Sequence, residues 1–321
     1  MFQHQPCGHQ RGPLMGRRNY DHLTRDEVDC DFPGGGPARF WLWVFLGEDS
    51  VCFVMDATRS SAVLADHVGL DPDTGQLSDT PGGAARRLVL SSDFYTVYAS
   101  AGRRADGLVN LYCWAQARRH FVRAGDANPA QLGIWARQRV DRIRDLYTAH
   151  DALAAAWHTP ATAPSPRAER ALAAAYAGWD TAIGVIDTVR QEQMTSPGLQ
   201  EPAKKARATM DREWDGLTAH RGYPMIGLDN NPAERAIRGP VVTRRNAGGS
   251  RTEDAARDAA TIFTVTATTT LHGLNLLTYL ESYLDACGRT DDTALTGTDL
   301  ERFLPWAASP DDLEAWKQPP S

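Results

Sequence analysis

The stretch FWLWVFLGEDSVCFVMD, Phe40 to Asp56, decides the fold class. Two aromatic and β-branched runs, 40–46 and 51–56, flank the four residues GEDS, which suit a hairpin turn. Both runs are nearly continuous in apolar residues, so they predict strands of a sheet covered on both faces. Downstream, Arg59 to Val68 reads as a short helix and DPDTGQLSDTPGG (71–83) as a loop. LVLSSD (88–93) reads as a third strand ending at Asp93. LVNLYCW (108–114) reads as a fourth, running into the basic helix AQARRHFVRA. Upstream, GRRNYDHLTRDEVDCDFPGGGP carries Asp21, Asp26, Glu27, Asp29 and Asp31 but no strand pattern, and residues 1–38 read as an irregular tail.

From about 128 to 220 the chain turns Ala-rich and helical. Ala136, Val140, Ile143, Tyr147, Leu153 and Trp157 keep one helical stripe until Pro160, Pro164 and Pro166 break it. Leu172, Tyr176, Trp179, Ile183, Ile186 and Val189 keep a second. Then comes GLDNNPAERAIRGPVVTRRN (227–246). Asp229, Asn230 and Asn231 are turn and N-cap residues, and Pro232 fits a first helical position. Glu234, three residues after Asn231, suits a capping box or a metal-binding carboxylate at a helix start. NAGGSRTEDAARDAATIFTVTATTT reads as a turn and a helix despite its threonines. Leu276, Leu277, Leu280 and Leu284 mark an amphipathic helix before an acidic tail.

Net charge is −6 and the isoelectric point about 5.8, which excludes a binder of nucleic acid over its whole surface. Basic patches are local: six Arg between 234 and 257, and Arg118, Arg119 and Arg123. The five Cys form no CxxC pair and read as reduced thiols in a cytoplasmic protein. No apolar run reaches the roughly 20 residues of a membrane span, and no signal peptide is read at the N-terminus. Nucleotide-binding, zinc-protease and nucleophile-elbow motifs are absent from the sequence.

The order of hairpin, strand ending in Asp, strand, helical interruption and Glu-bearing helix predicts an α/β fold with a ribonuclease-H-like mixed sheet. Asp93 at a strand end and Glu234 at a helix start are its candidate chemical residues. A strand-end aspartate also serves as an N-cap, and Asp56 ends a strand too. Crowded carboxylates repel one another unless a cation sits among them. Hard divalent ions take oxygen ligands, so such a cluster makes sense as a Mg²⁺ site.

The chain resembles the IS66-type transposases, a DDE group. CWAQARRHF (113–121) is similar to that family's CWAHxRRxF, and GLDNNPAERAIRGPVVTRRN to its DNNxAERxxRxxxxxRKN. HGLNLLTYL (272–280) is similar to its closing helix, and WLWVF with VCFVMDATRS to its early strands. The resemblance covers roughly residues 40 to 290. It implies a retroviral-integrase-like core with a helical insertion, using two Mg²⁺ or Mn²⁺ ions to cut and join DNA at transposon ends. It implies transposon-end and target DNA as partners, a homo-oligomer on DNA and accessory transposition proteins. Asp93 matches the second catalytic aspartate and Glu234 the glutamate. Asp26, in the Asp26-Glu27 pair, is taken as the first, with Asp29 and Asp31 as rivals. Arg118, Arg119, Arg235, Arg238, Arg244 and Arg245 are candidate phosphate contacts; surface salt bridges are the alternative for each. Gln116 replaces the family's His, and the family's N-terminal DNA-binding and zinc-finger regions have no counterpart, so a truncated copy is expected. The expected organisation is an irregular segment 1–38, a core in two parts, 39–127 and 221–290, around a helical insertion 128–220, and a tail 291–321.

Overall fold

The computed structural model describes residues 19–30 and 38–319, less 72, 78–87, 96, 99, 101, 103, 104, 106, 163, 164, 195–197, 248, 251 and 291–293. Side chains at 19–30, 38, 39, 159–162, 193, 194, 245 and 247 lie outside the description. The chain is mixed α/β and divides into two compact units. One joins Met1–Arg86 to Asn231–Ser321, and the other is Arg87–Asn230. The division does not follow the expected boundaries at 127/128 and 220/221, because the strands after residue 87 group with the helices that follow them.

In the first unit, β1 (Asn19–Cys30), β2 (Ala38–Leu46) and β3 (Val51–Asp56) form antiparallel pairs, β1 with β2 and β2 with β3. The predicted hairpin is present: Leu46 pairs with Val51, and Gly47 N–H donates to Ser50 O at 2.9 Å. β1 corrects the expectation of an irregular segment over 1–38, for Asn19–Cys30 is a twelve-residue strand. Asp and Glu disfavour strands, but the backbone ladder to β2 outweighs that local preference. Residues 1–18 and the rival Asp31 lie outside the described residues.

Both faces of β2 are covered, as its continuous apolar run predicts. Phe40, Leu42 and Val44 enter one buried cluster with Ala233, Ile237, Ala256 and Ala260. Trp43 and Phe45, on the other face, are also buried, and Phe45 stacks on His67 of α1 (Ser61–Val68) with ring centroids 3.5 Å apart. β3 lies beside the last and longest of three consecutive helices. These are α7 (Asn231–Ala236), α8 (Arg238–Ala247) and α9 (Glu253–Leu271). The threonine run of α9 has a structural use. Thr264 and Thr268, one turn apart, bond the β3 backbone: Phe53 N–H donates to Thr264 Oγ1 at 2.8 Å and Val51 N–H to Thr268 Oγ1 at 3.1 Å. Those hydroxyls occupy edge groups that another strand could otherwise pair.

The GLDNN stretch, expected to open one helix, opens two. Pro240 has no N–H for the Ala236 carbonyl, and the chain breaks at Ile237 between α7 and α8. The leucine helix α10 (Leu276–Gly288) packs through Tyr279, Tyr283 and Ala286 onto Leu274, Leu295, Phe303 and Trp316. Two of its predicted stripe residues, Leu277 and Leu284, are exposed instead. α11 (Gly297–Glu301) and α12 (Pro310–Lys317) complete this cluster.

The second unit holds the parallel pair β4 (Leu88–Ser92) and β5 (Leu108–Tyr112). Its helices are α2 (Trp114–Ala127), α3 (Pro129–Thr162), α4 (Pro166–Met194), α5 (Glu201–Arg212) and α6 (Trp214–Thr218), with a 3₁₀ turn at Ala219–Gly222. α3 runs through Pro160, where the sequence predicts a break; a proline so near the C-terminal end removes one bond without splitting the helix. The stripes of α3 and α4 meet in one core with Trp114, Phe121, Ile143, Leu146, Leu153, Trp179 and Ile186. Gly216 of α6 is required by close approach: a Cβ there would stand 2.3 Å from Tyr112 Cδ2.

Candidate active site

Two of the three expected acidic residues belong to the first unit. α7 packs on β1 and β2, with Ala233 and Ile237, four residues apart, turned into the cluster of Phe40, Leu42 and Val44. Glu234 is the next residue round from Ala233 and is half-buried at the flank of that contact. Arg235 and Arg238 are exposed, and Arg244 is half-buried on α8. The side chain of Arg245 lies outside the described set.

The register of β1 separates the rivals for the first aspartate. Position 26 pairs with Leu42, and position 29 with Arg39. Directly paired positions share a sheet face, and successive positions alternate. Position 26 therefore belongs to the face that carries Leu42, the face α7 covers, and position 29 to the opposite one.

Asp93 belongs to the second unit. It follows β4, whose five residues are all buried, at the C-terminal end of the parallel pair, a common place for chemistry in α/β sheets. Its Oδ1 accepts from Tyr95 N–H at 3.0 Å, which fixes the carboxylate in a local turn. Asp56 does something comparable at the end of β3, but more completely. Its Oδ1 takes both the N–H and the hydroxyl of Thr58, at 2.6 and 2.7 Å. Arg118 is exposed and Arg119 half-buried on α2.

The segment that leads to α7 is tied down inside the second unit. Trp114 N–H donates to Leu228 O at 2.8 Å, and Asn230 N–H approaches Cys113 Sγ at 3.4 Å. The Tyr147 hydroxyl reaches Asp229 Oδ2 at 3.5 Å. Burial, with the Asp229 charge second, pushes the Tyr147 phenol well above its usual range. Burial likewise raises the Cys113 thiol, which stays protonated. Two buried histidines add long-range bonds: His150 Nε2 lies 2.9 Å from Ile226 O in the same segment, and His220 Nε2, in the 3₁₀ turn, lies 3.0 Å from Tyr112 O of β5. Sequence reasoning places Tyr147 in a packing stripe and gives His150 and His220 no role. Their partners lie 76 to 108 residues away, so no local pattern could reveal them.

Burial lowers the His150 pKa below the usual histidine value of about 6.5, so the ring is neutral in the fold above that range. The unfolded chain then takes up the proton first as pH falls. The His150 contribution to stability is complete above about pH 6.5 and declines below it, by at most about 1.4 kcal/mol per pH unit. Urea midpoints at pH 7.5, 6.5 and 5.5 should fall across that series, and His150→Gln should flatten the decline. An unchanged decline in the variant would assign it to other groups.

Among the described residues, no group of three or more His, Cys, Asp or Glu side chains gathers to hold a metal; the Asp26 side chain is not among those described. The donor chemistry of Asp26, Asp93 and Glu234 is all carboxylate oxygen, which fits a hard divalent ion. No helix among the described residues is long and apolar enough to cross a membrane.

The family model for the IS66 family of transposases matches residues 30–258. The chain belongs to the IS66 transposase family. The match includes Asp93, Glu234 and all six candidate arginines, and begins four residues after Asp26. The IS66-family chain is also 24% identical over 291 residues to the uncharacterized protein y4qI of Sinorhizobium fredii (strain NBRC 101917 / NGR234), covering 88% of this chain. It spans about half, 49%, of that relative's length. No solved structure matches it.

Proposed function

We propose that this IS66-family chain carries the catalytic core of a DDE transposase with a ribonuclease-H-like sheet, cutting and joining DNA at transposon ends. One observation carries the reading beyond family membership. The β1–β2 register puts position 26 on the sheet face covered by α7, the helix that bears Glu234. Asp26, Asp93 and Glu234 would hold two Mg²⁺ or Mn²⁺ ions. Bound there, such ions supply Lewis-acid stabilisation of the scissile phosphate and activate the attacking oxygen. The chain's own contribution is to hold the carboxylates: Tyr95 N–H orients Asp93, and the packing of Ala233 and Ile237 sets the helix from which Glu234 projects. Arg118, Arg119, Arg235, Arg238, Arg244 and Arg245 contact phosphates and place the duplex without reading its bases. Transposon-end and target DNA are the proposed partners, with a homo-oligomer assembling on DNA, accessory transposition proteins and a nucleoid location.

A cleavage-and-joining assay on transposon-end duplexes tests the reading. Cut and joined products are expected with Mg²⁺ and none with EDTA. Asp26→Asn and Asp93→Asn should each reduce product at least a hundredfold at unchanged DNA affinity. DNA binding without cleavage by the unaltered chain would instead support a decayed remnant that acts only by binding DNA or other proteins.

A further inference from the structure

Asp93 is followed by an aromatic residue that the proposed chemistry does not use. Phe94 stands just past the C-terminal end of β4 and contacts two rings of the second unit. It meets Tyr112, the last residue of β5, edge-on, with ring centroids 5.8 Å apart and planes at 89°. It stacks on His120 of α2 with centroids 6.0 Å apart and planes at 22°. Both are favourable arrangements for aromatic pairs.

Both neighbours are themselves held in place. Tyr112 is 7% exposed, and Gly216 of α6 backs its ring so closely that a Cβ there would stand 2.3 Å from Cδ2. His120 belongs to the helix that buries Trp114, Ala117, Phe121 and Ala124 in the core of the unit. Burial, and then the charges of Arg123, Arg212 and Arg119, lower the His120 pKa below the usual histidine value, so the ring stacks in its neutral form at pH 7.

Phe94 is also the middle residue of the turn that holds the Asp93 carboxylate. Ser92 Oγ donates to Asp93 O at 3.1 Å, and Asp93 Oδ1 accepts from Tyr95 N–H at 3.0 Å. That second bond closes across residue 94, so the backbone angles of Phe94 decide whether carboxylate and amide meet. Holding the Phe94 ring therefore restricts the turn, and with it the direction of the carboxylate. Direction matters for a reacting group: a misplacement of about 1 Å can cost on the order of a hundredfold in rate. We propose that Phe94 and His120 are positioning residues for Asp93: their stack, braced by Tyr112, fixes the 93–95 turn and aims the carboxylate. Its functional meaning rests on the proposed metal role of Asp93; the clamp itself is measured without metal or DNA.

The test uses the full chain labelled with ¹⁵N-tyrosine. Nine tyrosines give few enough signals to follow, and Tyr95→Phe identifies the Tyr95 amide. Hydrogen exchange of that amide, relative to the Tyr176 amide within α4, should quicken about tenfold in Phe94→Ala and about threefold in His120→Ala. Phe94→Tyr and His120→Phe keep the rings and should stay near the unaltered rate. Ile186→Ala, 6% exposed in the same core, weakens the unit without touching the turn and should leave the ratio unchanged. A titration with Mn²⁺, followed by its paramagnetic resonance, reads the carboxylate. Phe94→Ala should weaken binding at least threefold, Phe94→Tyr should restore it, and Ile186→Ala should not change it. If the Tyr95 amide gains no more in Phe94→Ala than in Ile186→Ala, the clamp is overturned. If the amide quickens but Mn²⁺ affinity holds, although Asp93→Asn weakens it, the positioning role is overturned. If Asp93→Asn itself leaves Mn²⁺ affinity unchanged, the metal reading of Asp93 fails and the amide alone decides the clamp. Should Phe94→Ala fail to fold, Phe94→Leu carries the comparison: it keeps most of the volume but loses the planar ring, and exchange about threefold faster is expected.

Discussion

Glu234→Gln is expected to lower metal-dependent strand cleavage about a thousandfold while leaving the fold intact. In the proposed metal-ligand role, its loss removes several kcal/mol of transition-state stabilisation, and about 4 kcal/mol corresponds to three powers of ten in rate. The fold should tolerate the change for a separate reason. Glu234 flanks the buried Ala233–Ile237 contact instead of filling it, and glutamine has nearly the same shape and helix propensity. The change also removes a charge in the first turn of α7, typically worth about 0.3–1 kcal/mol. The circular dichroism spectrum should therefore match that of the unaltered chain, and the thermal midpoint should fall by no more than about 4 °C. Arg235→Gln is the matched comparison, one residue along and exposed. As a phosphate contact it should weaken DNA binding, reduce the salt slope by about 1 and leave turnover of bound DNA nearly unchanged. Equal cleavage rates for Glu234→Gln and the unaltered chain would refute the metal-ligand role and leave Glu234 as a cap residue.

The parts of the fold that could be read in advance are those specified by local pattern. The hairpin needed only two apolar runs and four turn residues. The helices of the second unit needed only a period of 3.6, although α3 runs two residues past the predicted break at Pro160. β1 was not legible. NYDHLTRDEVDC lacks both apolar continuity and clean alternation, and its pairing with β2 exists only in the folded chain. That omission matters for the proposed site, since the choice between Asp26 and Asp29 depends on strand register. Local pattern is also a poor guide where an amphipathic helix has a choice of faces. Leucines suggested one face of α10, yet Tyr279 and Tyr283 take the packing role, with larger rings against Phe303 and Trp316. The α9 threonines looked unhelpful to a helix because β-branched residues are poor helix formers. Two of their hydroxyls instead satisfy backbone groups of β3, a gain that no helix-propensity scale contains.

Trp114→Ala should destabilise the chain by about 3–5 kcal/mol, the cost of emptying a large buried aromatic site. Trp114 opens the CWAQARR helix, is 0% exposed, and lies edge-on to Trp214 with ring centroids 6.3 Å apart. Its indole Nε1–H donates to Leu217 O at 2.9 Å, so truncation also leaves that buried carbonyl without its donor. For a domain of this size each kcal/mol moves the thermal midpoint by roughly 2–4 °C, and the expected fall is about 10 °C. Two further variants divide the effect. Trp114→Phe keeps most of the volume and removes the indole donor, so it should cost much less than the alanine change. Ile134→Ala removes an apolar side chain that is 77% exposed and should shift stability by no more than about 0.5 kcal/mol. A Trp114→Ala midpoint within error of Ile134→Ala would show that this tryptophan does not hold the unit together. The same residue's backbone N–H holds Leu228 O and Cys113 Sγ accepts from Asn230 N–H, so the CW pair and the DNN turn are joined by two long-range contacts. Their joint presence in the sequence motif is explained by packing as much as by chemistry: the turn that launches the Glu234 helix rests on the residue that starts the arginine helix.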